Sequence, residues 1–183
     1  MEYRIEQDEY PESPREWDNL TTLICFHNRY DLGDDHDYNS EDYQSWEELE
    51  QAIVENENPL HISPLFLYDH SGLYLKIGDW HNSGLAQGHA HFDSGQVGFV
   101  IVTQESVDKL GTPLEFVPGQ AKGEVETYAA YLSGNVYGFV ITEECSECEQ
   151  EKIIDSCYGF YDYNECEKEA KRQIEYYQEK EIV

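Results

Sequence analysis

The sequence predicts an α+β fold, a mostly antiparallel sheet with helices packed on one face, in a single compact domain spanning residues 1–183. Three observations predict it. Short β-branched and aromatic runs recur along the chain, other segments space their apolar residues as helices do, and the two kinds are mixed rather than regularly alternating. With 183 residues, 39% apolar and 14% aromatic, the chain can bury a core and is too aromatic for a disordered polyanion.

The elements follow in order. Residues 1–14 are polar and interrupted by Pro11 and Pro14, and read as a flexible lead-in. LTTLICF (20–26) is β-branched enough for a strand. Residues 31–40 hold Gly, Asp and Asn without periodicity and predict a loop. A helix follows, because Ser45 and Glu48 form a capping box and Trp46, Leu49 and Ile53 share a face. Pro59 ends it. ISPLFLY (62–68) and LYLKI (73–77) flank the turn DHSG and predict a hairpin.

SGQVGFVI (94–101) is echoed by SGNVYGFVI (133–141), which suggests equivalent strands in one sheet. Between them, residues 105–110 and 123–132 predict helices, the second with Val125, Tyr128 and Leu132 on one face. CYGFYDY (157–163) predicts a last strand, and the Glu, Lys, Gln and Ala content of residues 164–180 predicts a helix within the terminal segment 164–183.

Charge dominates the composition: 39 acids against 11 bases give a formal −28. Residues 1–57 hold 18 acids and 3 bases, so the excess is greatest there. The stretch YDLGDDHDYNSEDYQSWEELEQ (30–51) has nine acids and no Lys or Arg. Direct nucleic-acid binding needs basic patches and is excluded, as are phosphate-binding loops, whose glycine motifs are absent. The expected partner is basic. The residues expected to meet it are Asp31, Asp34, Asp35, Asp37, Glu41, Asp42, Glu47, Glu48, Glu50 and Glu55.

Metal chemistry has three candidate sites. An EF-hand begun at Asp35 fails, because Ser40 replaces the required Gly and Trp46 the bidentate Glu. His81, His89, His91 and Asp93 could bind a transition metal, but their Gly-rich segment reads more simply as a polar loop. Cys145, Cys148, Cys157 and Cys166 give C-x2-C-x8-C-x8-C, superficially a zinc ribbon; the second pair is not C-x2-C and Cys157 lies in an apolar-aromatic run. Five Cys are an odd number and most sit among acids, so reduced thiols are expected, with structural zinc on these four Cys or a metal-dependent enzyme built on the His or Cys cluster as alternatives. No catalytic residue and no cofactor is expected. No G-x-S-x-G elbow is present, and with 39 acids a glycosidase-like carboxylate pair carries no weight.

The first fourteen residues lack a basic region followed by an apolar run, and no 18-residue apolar stretch occurs, so a cytoplasmic compartment is expected and no membrane.

The strings PREWDNL (14–20), CFHNRYDLGD (25–34), LYDHSG (67–72), DSGQVGFV (93–100), GEVETYAAYLSGNVYGFVI (123–141) and DSCYGFYD (155–162) resemble those of a family of small acidic proteins. Phages and plasmids of Gram-positive bacteria carry that family. It is similar in size and charge to antirestriction DNA mimics and to some inhibitors of type II CRISPR nucleases. The segment His89–Ala90–His91 departs from the family's pattern, which disfavours a His metal site. The resemblance implies a non-enzymatic anti-defence protein acting in the host bacterial cytoplasm. Its partner would be the basic DNA-binding groove of a type II CRISPR effector or a restriction-modification enzyme, with DNA binding or cleavage blocked; an acidic adaptor for another basic host protein and a homodimer stay open.

Overall fold

Tyr3 and Ile5 alternate with Glu2, Arg4 and Glu6, and this period of two makes the first residues a strand, β1 (Glu2–Gln7), rather than the flexible lead-in the sequence suggests. The charged positions face outward and hide the pattern from a reading by composition. The computed structural model describes residues 1–69, 72–78, 94–144 and 151–181. These fall into two compact units interleaved along the chain, residues 13–132 in one and residues 1–12 with 133–183 in the other. Both units mix helices with antiparallel strands, so the fold is α+β as expected.

In the unit of residues 13–132, β2 (Thr22–Cys25), β3 (His61–Asp69), β4 (Leu73–Ile77) and β5 (Ser94–Val102) form an antiparallel sheet in the order β2-β5-β3-β4. The hairpin of β3 and β4 is the predicted one. Helix α1 (Trp46–Glu57) begins at Ser45, whose hydroxyl accepts from the Glu48 amide at 3.3 Å, and ends at Asn58 in the left-handed conformation. Its Leu49 and Ile53 bury against Ile24, Phe99 and Ile101.

The residues between those positions on the strands point the other way. Leu23, Leu65, Leu67 and Val100 pack with Val125 and Tyr128 of α3 (Val117–Leu132), while Val102 meets Val107 of α2 (Gln104–Leu110) and Val117 and Ala121 of α3. Helices thus cover both faces of this sheet, not one. The cause is legible in β5, where Val97 and the consecutive run Phe99–Val102 are all buried, as a strand covered on both faces requires. Helix α3 also starts earlier than its apolar spacing indicates, at Val117 instead of Gly123.

In the second unit, β1, β6 (Tyr137–Glu144) and β7 (Glu151–Phe160) form a sheet in the order β1-β6-β7, and one helix, α4 (Tyr163–Glu181), covers a face. Cys166 and Ala170 of α4 bury against Phe139 and Ile141 of β6, with Tyr3, Ile5, Ile154 and Phe160 around them. Strand β7 starts earlier than the predicted last strand and stops at Phe160.

The sequence echo is therefore not two strands of one sheet. Its copies, β5 and β6, lie in different sheets, each as a central strand with a neighbour on either side. What they share is that position, together with a glycine at a close approach: a side chain at Gly98 would strike the backbone of Ile24, and one at Gly138 the ring of Tyr158.

Cysteine burial has a direct consequence. Cys25 and Cys166 are buried, and burial pushes their thiols up to about 12 and about 11, whereas Cys157 is exposed on β7. Brief iodoacetamide treatment of the native protein at pH 8, followed by peptide mass mapping, is expected to alkylate Cys157 while sparing Cys25 and Cys166. Equal labelling of all three would contradict this packing.

Candidate binding surface

The acidic stretch is built on two supports, the loop that leaves β2 and the outer face of α1. The loop is anchored by Gly33, whose φ of +81° suits glycine and whose Cβ, if present, would lie 2.4 Å from the Leu23 carbonyl oxygen. Its amide donates to the Tyr128 hydroxyl at 3.0 Å. The next residue, Asp34, is one of the ten expected partner-binding acids, and the structure gives it internal partners. Its carboxylate takes both Nε and Nη2 of Arg15, at 2.9 and 2.5 Å, and accepts from the Leu23 amide at 2.7 Å. Its own amide donates to the Leu23 carbonyl at 2.9 Å. Asp34 thus docks along β2, which lies at an edge of its sheet.

Arg15 extends this network by donating to the Thr21 hydroxyl and carbonyl, and the Thr21 hydroxyl donates to Glu124 at 2.6 Å. Glu124 also accepts from the Leu20 and Thr21 amides, both at 2.9 Å. The Arg15 side chain is only 7% exposed. These charges hold the loop and the start of β2 in place.

The other nine acids behave as expected of a surface. Asp31, Asp35, Asp37, Glu41, Asp42, Glu47, Glu48 and Glu55 are exposed and Glu50 is half-buried. None of the nine forms an ion pair among the described residues. Glu48 accepts from the Gln44 amide at 2.7 Å, and the amide of Glu47 itself and the Ser45 hydroxyl hold the Glu47 carboxyl below the usual carboxylate range. Negative side chains at a helix N-terminus need no counter-ion, because the free amides and the dipole favour them there. Along α1, Glu47, Gln51 and Val54 line a shallow groove with Glu50 and Glu55.

Two acids missed in the sequence join this surface. Glu57, in the last turn of α1, and Glu105, in the first turn of α2, line a cleft of about 690 Å³ together with Asp35 and Asp37. Tyr38 and Tyr43 line it too, as do Ile24 and Ile101. The Tyr38 hydroxyl donates to Glu57 at 3.0 Å, and burial raises the Tyr38 phenol. No local feature marked Glu57 or Glu105, since the cleft is assembled only when α1 and α2 meet the same sheet. Among the described residues Lys109 is the one Lys or Arg lining the cleft, and its ammonium is held 2.6 Å from Asp18.

The sequence-predicted metal candidates fall largely outside the described residues: His81, His89, His91 and Asp93 do, and so do Cys145 and Cys148. Cys157 is exposed on β7 and Cys166 is buried under α4. Among the described residues, no three His, Cys, Asp or Glu side chains are grouped to hold a metal ion, and no helix is long and apolar enough to cross a membrane.

No family model matches the chain, and comparisons with curated proteins and with solved structures return no match.

Proposed function

We propose that the protein is a non-enzymatic inhibitor of a bacterial DNA-targeting nuclease, a type II CRISPR effector or a restriction enzyme, acting in the bacterial cytoplasm. It presents an anionic surface to the basic groove that would otherwise hold DNA. One observation carries the reading: residues 31–57 contain eleven acids and no base, and among the described residues only Asp34 of them is neutralised by an internal cation. The contrast with α4 is instructive. There Glu167 pairs with Lys171 and Glu169 with Arg172, the pattern of an ordinary solvated helix.

The charge density fits a duplex. Twelve residues make α1 about 18 Å long, and one strand of B-DNA carries about five phosphates over that distance. Helix α1 carries Glu47, Glu48, Glu50, Glu55 and Glu57. Acids at that density steer a basic groove from a distance and gain from the release of the groove's counterions. The resemblance to phage- and plasmid-borne acidic proteins points to the same class of partner.

Cleavage of a target duplex by a purified, guide-loaded type II effector, and by restriction enzymes, is the direct test. Inhibition by this protein should fall at least about tenfold between 50 and 300 mM salt, because the attraction is screened. It should disappear when Asp35, Asp37, Glu47, Glu48, Glu50 and Glu55 are reversed to Lys, with Asp34 left native. Inhibition insensitive to both changes, or no inhibition of either enzyme class, would sink the reading.

A further inference from the structure

Residues 20–26 (LTTLICF) are exceptional in a chain of net charge −28, because they hold no charge, no proline and no glycine and are mostly β-branched or large and apolar. On an open sheet edge such a stretch is a template for pairing with another chain. Strand β2 lies within it and forms an edge of its sheet. The edge strands of the other sheet are guarded by common means, β1 by Glu2, Arg4 and Glu6 and β7 by two irregularities of register. Strand β2 has no charge, and its register with β5 runs without a break.

Side chains occupy the outer edge of β2 instead. Thr22 and Ile24 pair with Ile101 and Phe99 of β5, and the Phe26 amide donates to the Val97 carbonyl, so the alternate residues Thr21, Leu23 and Cys25 turn their backbone groups outward. Each of them is met there. The Thr21 amide donates to Glu124 and its carbonyl accepts from Arg15. The Leu23 amide donates to the Asp34 carboxylate, and its carbonyl accepts from the Asp34 amide. The Cys25 carbonyl accepts from Nε2 of His36 at 3.0 Å, since a carbonyl can only accept. Asp34 and His36 thus turn toward β2 while Asp35 and Asp37 are exposed, an alternation of period two in a segment that forms no strand.

We propose that residues 33–36 are a strap that keeps the β2 edge from pairing with β2 of a second copy of this chain. The groups the strap holds are those that such pairing would use. A two-fold axis at Leu23 would set Leu23 against Leu23 and Thr21 against Cys25, each a hydrogen-bonded pair of an antiparallel ladder. An added strand would satisfy the edge and present a new one, whereas side chains satisfy it and end the ladder. Net charge also keeps copies apart, but salt shortens its reach, and the strap acts at contact.

Sedimentation velocity at 300 mM salt, where repulsion between copies is screened, reads the outcome together with amide hydrogen exchange at Leu23. Asp34→Ala with His36→Ala is expected to associate at a concentration at least about tenfold lower than the native protein does, over a range of about 5 to 200 µM. Its Leu23 amide should exchange at least about tenfold more slowly at the top of that range than at the bottom, while the native amide should exchange at one rate throughout. If the double variant folds poorly, His36→Ala alone, which keeps Asp34 on Arg15 and Leu23, gives the same test with a smaller shift. Ile53→Ala, which opens a cavity under α1 and leaves the strap in place, should associate no more than the native protein. Equal association of Ile53→Ala and the strap variants would overturn the proposal, because destabilisation alone would then drive it. Strap variants that stay monomeric, or that associate without protecting the Leu23 amide, would overturn it as well.

Discussion

Asp34→Ala is expected to lower the unfolding free energy by about 3–5 kcal/mol, the usual result of removing one partner of a buried ion pair. The other partner, Arg15, is 7% exposed and would keep its charge with neither water nor carboxylate to balance it. The Leu23 amide would lose its acceptor at the same time. Urea denaturation followed by circular dichroism reads the effect directly. Asp37→Ala, three residues away and exposed, should change stability by no more than about 0.5 kcal/mol. A loss below about 1 kcal/mol at Asp34 would mean that the network around Arg15 is not what holds the loop. The comparison also separates fold from function, because an inhibitor carrying a substitution at Asp34 would fail for the wrong reason.

Gly98→Ala is the second large effect. An added methyl would sit 1.9 Å from the Ile24 carbonyl oxygen and 2.9 Å from the Cys25 Cα, both backbone atoms of the neighbouring strand. Flexible side chains can move aside, but here β2 would have to shift against β5, where Ile24 pairs with Phe99 and Cys25 with Gly98. A cost of about 3 kcal/mol or more is expected, at or beyond the top of the overpacking range. Gly95→Ala, on the same strand with open space at the position of the methyl, should be milder. If thermal melts show the two alanines to be equivalent, the close approach of β2 and β5 is wrong.

How much of this was legible depended on how local the cause was. Helix α1 could be read because its cap, Ser45, and its buried stripe, Leu49 and Ile53, lie within nine residues. The hairpin of β3 and β4 was equally local. Strand β1 was missed because half its residues are charged, and its partner β6 lies over 130 residues away. The echo of β5 and β6 was real as a pattern, but repetition carries no information on which sheet each copy joins.

The site shows the same division. The exposure of the α1 acids follows from helical spacing and was anticipated. Nothing near Asp34 distinguishes it from Asp35, since its fate is decided by Arg15, nineteen residues back, and by the edge of β2. Glu57 and Glu105 were invisible for the same reason: their neighbourhood is created by packing of distant elements.

The interleaving of the two units bears on how the chain is made. Residues 13–132 are continuous and can fold as soon as they have left the ribosome, whereas the opening strand finds its complement only after residues 137–144 are synthesised. At translation speeds of about 5–20 residues per second, β1 waits roughly 7–27 seconds without its mate. A strand made before residues 13–132 is therefore secured only after them.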